Sequence, residues 1–132
     1  MCVFCKIING VFSSSKIYED DKVLAILDLS QATYGHTLVM PKAHYENIFD
    51  LDEETAKHLF SVVKLIANHY KTTIPNLTGI NLLNNNGASA GQTVMHYHMH
   101  IIPRYEDDDL VNMQFTEHKL NLGEICEKLK IK

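Results

Sequence analysis

Val94-Met95-His96-Tyr97-His98-Met99-His100-Ile101-Ile102 sets three histidines among apolar residues at every second position. Side chains on a β-strand project alternately to opposite faces. On that period His96, His98 and His100 share one face, and Tyr97, Met99 and Ile101 share the other. The second set suits a core. The first lines up three titratable rings at intervals of about 7 Å, twice the rise per residue. Such a row is costly as structure alone: protonated rings repel, and buried neutral rings each need a hydrogen-bond partner. Two chemistries fit it. One is a tri-histidine metal site, since His-x-His on a strand is good zinc-ligand spacing. The other is a histidine nucleophile toward phosphorus, assisted by its neighbours. The strand alone leaves both open.

Upstream of this strand lies Asn84-Asn85-Asn86-Gly87-Ala88-Ser89-Ala90-Gly91-Gln92-Thr93, rich in small and amide residues. We expect a loop whose backbone N–H groups converge on an anion, with Gly91 allowing close approach and Gln92 and Thr93 adding side-chain donors. Residues 78–83 read as the strand before it. Residues 52–71 are the clearest helix: Asp50 or Asp52 caps it, Glu53 and Glu54 occupy its first turn, and Leu59, Phe60, Val63, Ile66 and Ala67 recur at helical spacing. Residues 16–19 and 23–28 predict two strands joined by a tight turn at Asp20-Asp21. Residues 36–40 predict a third, closed by Pro41, with His36 a structural histidine near the interior. A short helical turn over residues 3–9 and a C-terminal helix marked by Leu122, Ile125 and Leu129 complete the chain, with Cys126 a small core residue. This order predicts an α+β fold in one domain, residues 1–132, with an antiparallel sheet, one long helix and short terminal helices.

The 132 residues are 45% hydrophobic, enough for one core. The longest apolar run, residues 23–27, is too short to cross a bilayer. Met1-Cys2-Val3-Phe4-Cys5-Lys6 lacks the basic start and apolar stretch of a signal peptide. We therefore expect a cytoplasmic protein with no membrane partner. A net charge of −4 argues against a duplex nucleic-acid binder, but a mononucleotide needs only a few N–H groups and imidazoles. Of the three cysteines, Cys2-x-x-Cys5 is half of a zinc site by spacing. A redox reading is weaker, because no strand precedes the pair. Glu106-Asp107-Asp108-Asp109 reads as a solvated turn, and Arg104 as a surface ion pair or a phosphate contact.

Gly91-Gln92-Thr93-Val94-Met95-His96-Tyr97-His98-Met99-His100-Ile101-Ile102 resembles the histidine-triad signature, a Gly-Gln-Ser/Thr lead into His-φ-His-φ-His-φ-φ with φ apolar. Phe4-Cys5-Lys6-Ile7-Ile8, Tyr18-Glu19-Asp20, Leu27-Asp28, Gly35-His36-Thr37-Leu38-Val39 and Pro41-Lys42-Ala43-His44 resemble further stretches of that family, in order. The closest branch is the bacterial nucleotide-binding one; the uridylyltransferase branch carries glutamine where His100 stands. The resemblance implies a homodimeric α+β enzyme that hydrolyses or transfers nucleoside monophosphoryl groups, typically from purine nucleoside phosphoramidates. It implies His98 as nucleophile and His100 as a contact to the phosphate or leaving group. Asp28 is implied to accept the ribose hydroxyls, and Ile7, Ile26, Leu27 and Leu29 to line the base slot. Asn85, Gly91, Gln92 and Thr93 fall at the phosphate loop. Some bacterial members with this cysteine pair hold a structural zinc, here implied on Cys2, Cys5, His44 and His96, about one per chain, and no organic cofactor is implied. A diadenosine polyphosphate hydrolase and a nucleotide-binding regulatory module share the same motif, and a zinc hydrolase is the remaining reading.

Overall fold

Val23-Leu24-Ala25-Ile26 is apolar at each position, the pattern of a strand covered on both faces, and all four residues are buried. They belong to β2 (Val23–Leu27), the second strand of a five-stranded antiparallel sheet in the computed structural model, which describes residues 2–111 and 114–132. The other strands are β1 (Lys16–Glu19), β3 (Thr37–Pro41), β4 (Gly79–Leu83) and β5 (Met99–Arg104), in the order β1-β2-β3-β5-β4. Three α-helices accompany them among the described residues: α1 (Val3–Ile8), α2 (Glu53–Thr73) and α3 (Leu122–Leu129).

The alternation of β2 and β3 divides the core in two. Val23, Ala25 and Val39 meet Leu59, Val62, Val63, Ile66 and Tyr70 of α2 on one face of the sheet. Leu24, Ile26, Leu38 and Met40 meet Phe4 of α1 on the other. Burial of each such side chain contributes about 1.5–3 kcal/mol, so the six residues of α1 hold the N-terminus to the sheet chiefly through Phe4. Asp52 caps α2 by accepting from the Thr55 N–H. The apolar stripe of α2 uses Val62 rather than Phe60, which is 55% exposed. At 3.6 residues per turn Phe60 lies about 100° round from Leu59, on the flank of the stripe.

The β1–β2 turn is built on Asp20. Its Oδ1 accepts from the Lys22 and Val23 N–H groups, and its Oδ2 accepts from Tyr18 Oη and meets His58 Nε2 of α2 at 2.7 Å. The acidic run after β5 is likewise a brace. Asp108 takes a bidentate pair from Arg104 at 2.9 and 3.1 Å and accepts from the Tyr105 and Leu110 N–H groups. Asp108 is thus a structural partner rather than part of a solvated turn, and Arg104 is committed to it and to Asn81. Cys126 is exposed rather than in the core, because α3 has no buried residue.

The largest departure from expectation concerns the histidine strand. It begins at Met99, not Val94, because pairing with β3 stops at Val39 opposite Met99. Residues 94–98 swing off the sheet, and their polar groups find other partners, as buried backbone must. The Tyr97 N–H goes to the Tyr45 carbonyl, and the Pro41 carbonyl at the end of β3 is taken by the His96 ring. Pro41 sits within β3, opposite Val23, and His36 lies just before that strand.

Candidate active site and metal cluster

His98 is 6% exposed, and its Nδ1–H donates to the His96 carbonyl at 2.8 Å. A neutral imidazole carries one proton, so this bond leaves the Nε2 lone pair available. Phe4 packs edge-on to the ring with centroids 5.0 Å apart. Burial pushes the His98 pKa below the ordinary imidazole value, and the hydrogen bond to His96 and the charge of Asp28 oppose that shift.

His100 stands beside His98, ring centroids 5.0 Å apart, closer than an ideal strand would set them. Its Nδ1 lies 2.9 Å from His36 Nε2, while the Ala32 N–H donates to His36 Nδ1 at 3.1 Å. A backbone N–H can only donate, so the chain of donors runs one way. Ala32 N–H fills the Nδ1 lone pair of His36; Nε2 of His36 then carries the proton and donates to His100 Nδ1; Nε2 of His100 keeps its own proton as a donor. Burial is the main force lowering the His100 pKa to about 4, reinforced by positive charge on His98 and His36 and opposed by Asp28. The sequence pattern gives His36 only a structural place near the interior. A glycine at 35, which approaches Pro103, and Gln31, which bonds the residue-36 backbone, are the local features that fix it.

The two histidines also set a pH dependence. His36 and His100 are both held below the unfolded value, so on acidification the unfolded chain takes up protons first. Their contribution to stability is complete above about pH 6.5, the unfolded value, and declines as pH falls toward the folded value of about 4 for His100. The melting temperature, followed between these limits with zinc present, should fall, and His100→Asn should flatten the slope. An unchanged slope in that variant would remove the assignment.

Asp28 follows β2. Its Oδ1 accepts from the Ser30 N–H and its Oδ2 lies 3.5 Å from His36 Nε2. Asp28, His36 and His100 together form a triangle of possible ligands. The Ala32 N–H argues against a metal there: His36 would have to offer Nε2 and carry its proton on Nδ1, where it meets another N–H.

The second cluster has the opposite character. Sulfur-to-nitrogen distances from Cys2 and Cys5 to His44 Nδ1 and His96 Nδ1 are 3.6, 3.4, 3.3 and 3.6 Å, and the two Nδ1 atoms are 3.1 Å apart. Tetrahedral zinc with usual bond lengths places S and N about 3.6 Å apart and two N atoms about 3.3 Å apart. His96 Nε2 donates to the Pro41 carbonyl at 2.7 Å, which leaves Nδ1 free to ligate. The four residues can hold a metal ion. They also separate His96 from His98 and His100, so the triad does not form one metal site.

The loop between β4 and β5 differs from expectation. Its Ala90, Gly91 and Gln92 N–H groups are consumed by a short 3-10 turn, Ala88–Ala90, bonding Gly87 and Ala88 carbonyls. Gln92 is 4% exposed; its Nε2 donates to the Glu46 and Val94 carbonyls and its Oε1 accepts from the Gly87 N–H. Its amide braces the loop rather than pointing out as a donor. Gly91 has φ +94°, where a side chain is strained, and sits against Asn85, whose Nδ2 donates to the Gly91 carbonyl. The Thr93 side chain is exposed.

Of the expected base slot, Ile7 and Ile26 share the cluster under α1. Leu27, one residue on in β2, faces the other side. Leu29 is 99% exposed, so only an incoming group would cover it. A separate cavity of about 690 Å³, lined by Tyr34, Ile74, Pro75, Tyr105 and Asp107 among others, includes none of the triad histidines. The polar chemistry, not cavity size, locates the site.

The HIT domain model matches residues 9–107. The chain belongs to the HIT family. A HIT family protein from Bacillus anthracis of known structure is 51% identical, with a TM-score of 0.88 over 97% of this chain and 94% of that one. A zinc-bound histidine triad family protein from Mycobacterium smegmatis is 38% identical, with a TM-score of 0.79 over 88% of this chain and 84% of that one. Adenylylsulfatase HINT3 of Arabidopsis thaliana is 42% identical over 97% of this chain and 65% of its own length. The mixed sheet-and-helix architecture is that of these HIT structures. HIT proteins bind nucleotides, and members of the family are nucleotide hydrolases or transferases.

Proposed function

We propose that this HIT protein hydrolyses nucleoside 5′-monophosphate derivatives, purine nucleoside phosphoramidates above all, through a covalent nucleotidyl-histidine on His98. The observation that carries this reading is the Nδ1–H bond from His98 to the His96 carbonyl, which presents Nε2 as a lone pair. Nε2 attacks the α-phosphorus, the bond to the leaving amine breaks, and the amine departs with a proton brought on the substrate nitrogen. The His96 carbonyl stabilises the positive charge that develops on the ring. Water then attacks phosphorus and releases a proton to solvent, the bond to Nε2 breaks with its electron pair returning to the neutral imidazole, and the nucleoside monophosphate leaves. His100, neutral with its proton on Nε2, donates a hydrogen bond to a non-bridging oxygen without giving that proton up. Asp28, acceptor-only when ionised, receives the ribose hydroxyls. Thr93 and Asn85 supply the remaining polar contacts, and Ile7, Ile26 and Leu29 border the base.

Adenosine 5′-phosphoramidate labelled on phosphorus, mixed with the protein and quenched within one turnover, should leave acid-labile label on His98. Turnover without any protein-bound label would refute the covalent route. Turnover only of dinucleoside polyphosphates, or nucleotide binding without turnover, would move the assignment to those alternatives. An adenylyl sulfate is a second reading, supported by the HINT3 relative and by the absence of any need for a donated proton when sulfate leaves. Competition between the two substrates decides it.

The Cys2-Cys5-His44-His96 cluster fits zinc by its distances and by the softness of its donors. With four protein ligands the ion has no open position and serves structure, joining the N-terminus to the segment that carries His98.

The edge of β4, unpaired among the described residues, with Leu82 45% exposed on it and Phe60 55% exposed on α2, supports a homodimer through this side. Sedimentation should give twice the mass of one chain, and Phe60→Glu should shift the protein toward monomer. A wild-type monomer at micromolar concentration would sink the dimer.

A further inference from the structure

β4 ends at Leu83, opposite His100, and the sheet ladder on that side ends with it. The His98 carbonyl, two residues earlier in the chain and just before β5, therefore lies outside the ladder. The side chain of Asn84 takes over there: its Nδ2 donates to the His98 carbonyl at 2.8 Å. The Oδ1 of Asn84 accepts from Asn86 Nδ2 at 2.7 Å, and Asn86 Oδ1 accepts from the Ile48 N–H at 2.7 Å. The orientation of both amides is fixed from the ends. Ile48 N–H can only donate and the His98 carbonyl can only accept, so flipping either amide would set donor against donor or oxygen against oxygen.

We infer that Asn84 is a positioning residue for His98, held in that role by Asn86. The inference rests on His98 being the reacting histidine. Two constraints then define where Nε2 sits. The bond from Nδ1 to the His96 carbonyl fixes the rotation of the ring, and the bond from Asn84 fixes the main chain from which the ring projects. Neither suffices alone: without Asn84 the residue-98 peptide has no ladder partner on the β4 side, and the ring moves with it. The relay ties the same peptide to the loop around Ile48. That loop is also joined to the phosphate-loop side by Gln92, which donates to the Glu46 carbonyl, and to the histidine segment by Tyr97 N–H and Tyr45. Asn84 thus belongs to a set of amide links that hold the two sides of the site at fixed separation. One N–H of its amide goes to the His98 carbonyl and its oxygen accepts from Asn86, so its effect runs through His98.

Asn84→Ala and the milder Asn86→Ala are compared with wild type by kinetics, AMP binding, thermal melting and long-range proton–nitrogen correlation spectra of the histidine rings. We expect kcat for adenosine 5′-phosphoramidate to fall about ten- to hundredfold in Asn84→Ala, the scale of a small misplacement of a reacting group. Asn86→Ala should lose less, in the same direction. KM and the AMP dissociation constant should move less than about twofold, on the ground that uniform binding is untouched. The spectra should show His98 passing from a single Nδ1–H tautomer to a mixture. An unchanged His98 tautomer with unchanged kcat overturns the inference, as does a loss of kcat that only tracks a lower melting temperature and weaker AMP binding. If the wild type turns over no nucleotide, the functional reading fails, and the tautomer change in Asn84→Ala still decides the positioning role.

Discussion

His98→Ala lowers kcat for adenosine 5′-phosphoramidate by at least about a hundredfold, the loss expected when a nucleophile is removed. The size of the effect follows from the lack of a substitute. His100 is the imidazole beside it, ring centroids 5.0 Å apart, but its Nε2 carries a proton and its Nδ1 faces His36 at 2.9 Å. His96 offers Nδ1 to the cysteines and uses Nε2 on the Pro41 carbonyl. Neither can present a lone pair where His98 does. The substitution also removes a buried ring that packs on Phe4, so the melting temperature and AMP affinity are measured alongside. Retained folding and binding with lost turnover support the covalent mechanism. Equal turnover in wild type and variant would show that another group attacks phosphorus.

The second large effect is on stability. Protein purified without chelators should contain about one zinc per chain, and Cys2→Ser with Cys5→Ser should abolish it. The melting temperature should then drop by about 10 °C or more, from a loss of at least about 3 kcal/mol. The double variant releases α1, whose N-terminus is capped by the Cys2 sulfur accepting from the Cys5 N–H at 3.2 Å, and with it Phe4. It also leaves two imidazole Nδ1 atoms 3.1 Å apart with no ion between them. Burial pushes the Cys5 thiol pKa up, helped by its neighbour Cys2, which is the opposite of the thiolate a redox pair needs. Turnover should fall in the same variant, because the His96 carbonyl that orients His98 is set by the same cluster. Metal-free protein with two freely reactive native thiols and an unchanged melting curve would remove zinc from the structure.

Local pattern explains which parts were legible in the sequence. The α2 stripe and the Tyr97, Met99, Ile101 side of the histidine segment were readable because burial on one face imposes a period. The misplacement of Phe60 shows the limit: a stripe about 100° wide has flanks, and the packing partner decides which flank is covered. Residue type alone puts Cys126 in the core, but α3 presents no buried face. Gln92 looked like a phosphate donor because its neighbours are small and polar; the carbonyls of Glu46 and Val94 that occupy it belong to segments no local window includes.

By itself the sequence determined the α+β order of elements, which depends on residue type and spacing; His98 as candidate nucleophile and the pairing of Cys2-x-x-Cys5 with His44 and His96 came only as what the family resemblance implies. Only the tertiary structure decided the proton on each ring. Ala32 and His36 of the loop before β3 meet His100 of β5, and Asn84 reaches His98 across the end of the sheet. A histidine is donor or acceptor according to what stands against each nitrogen, and that is fixed by contacts between segments far apart in the chain.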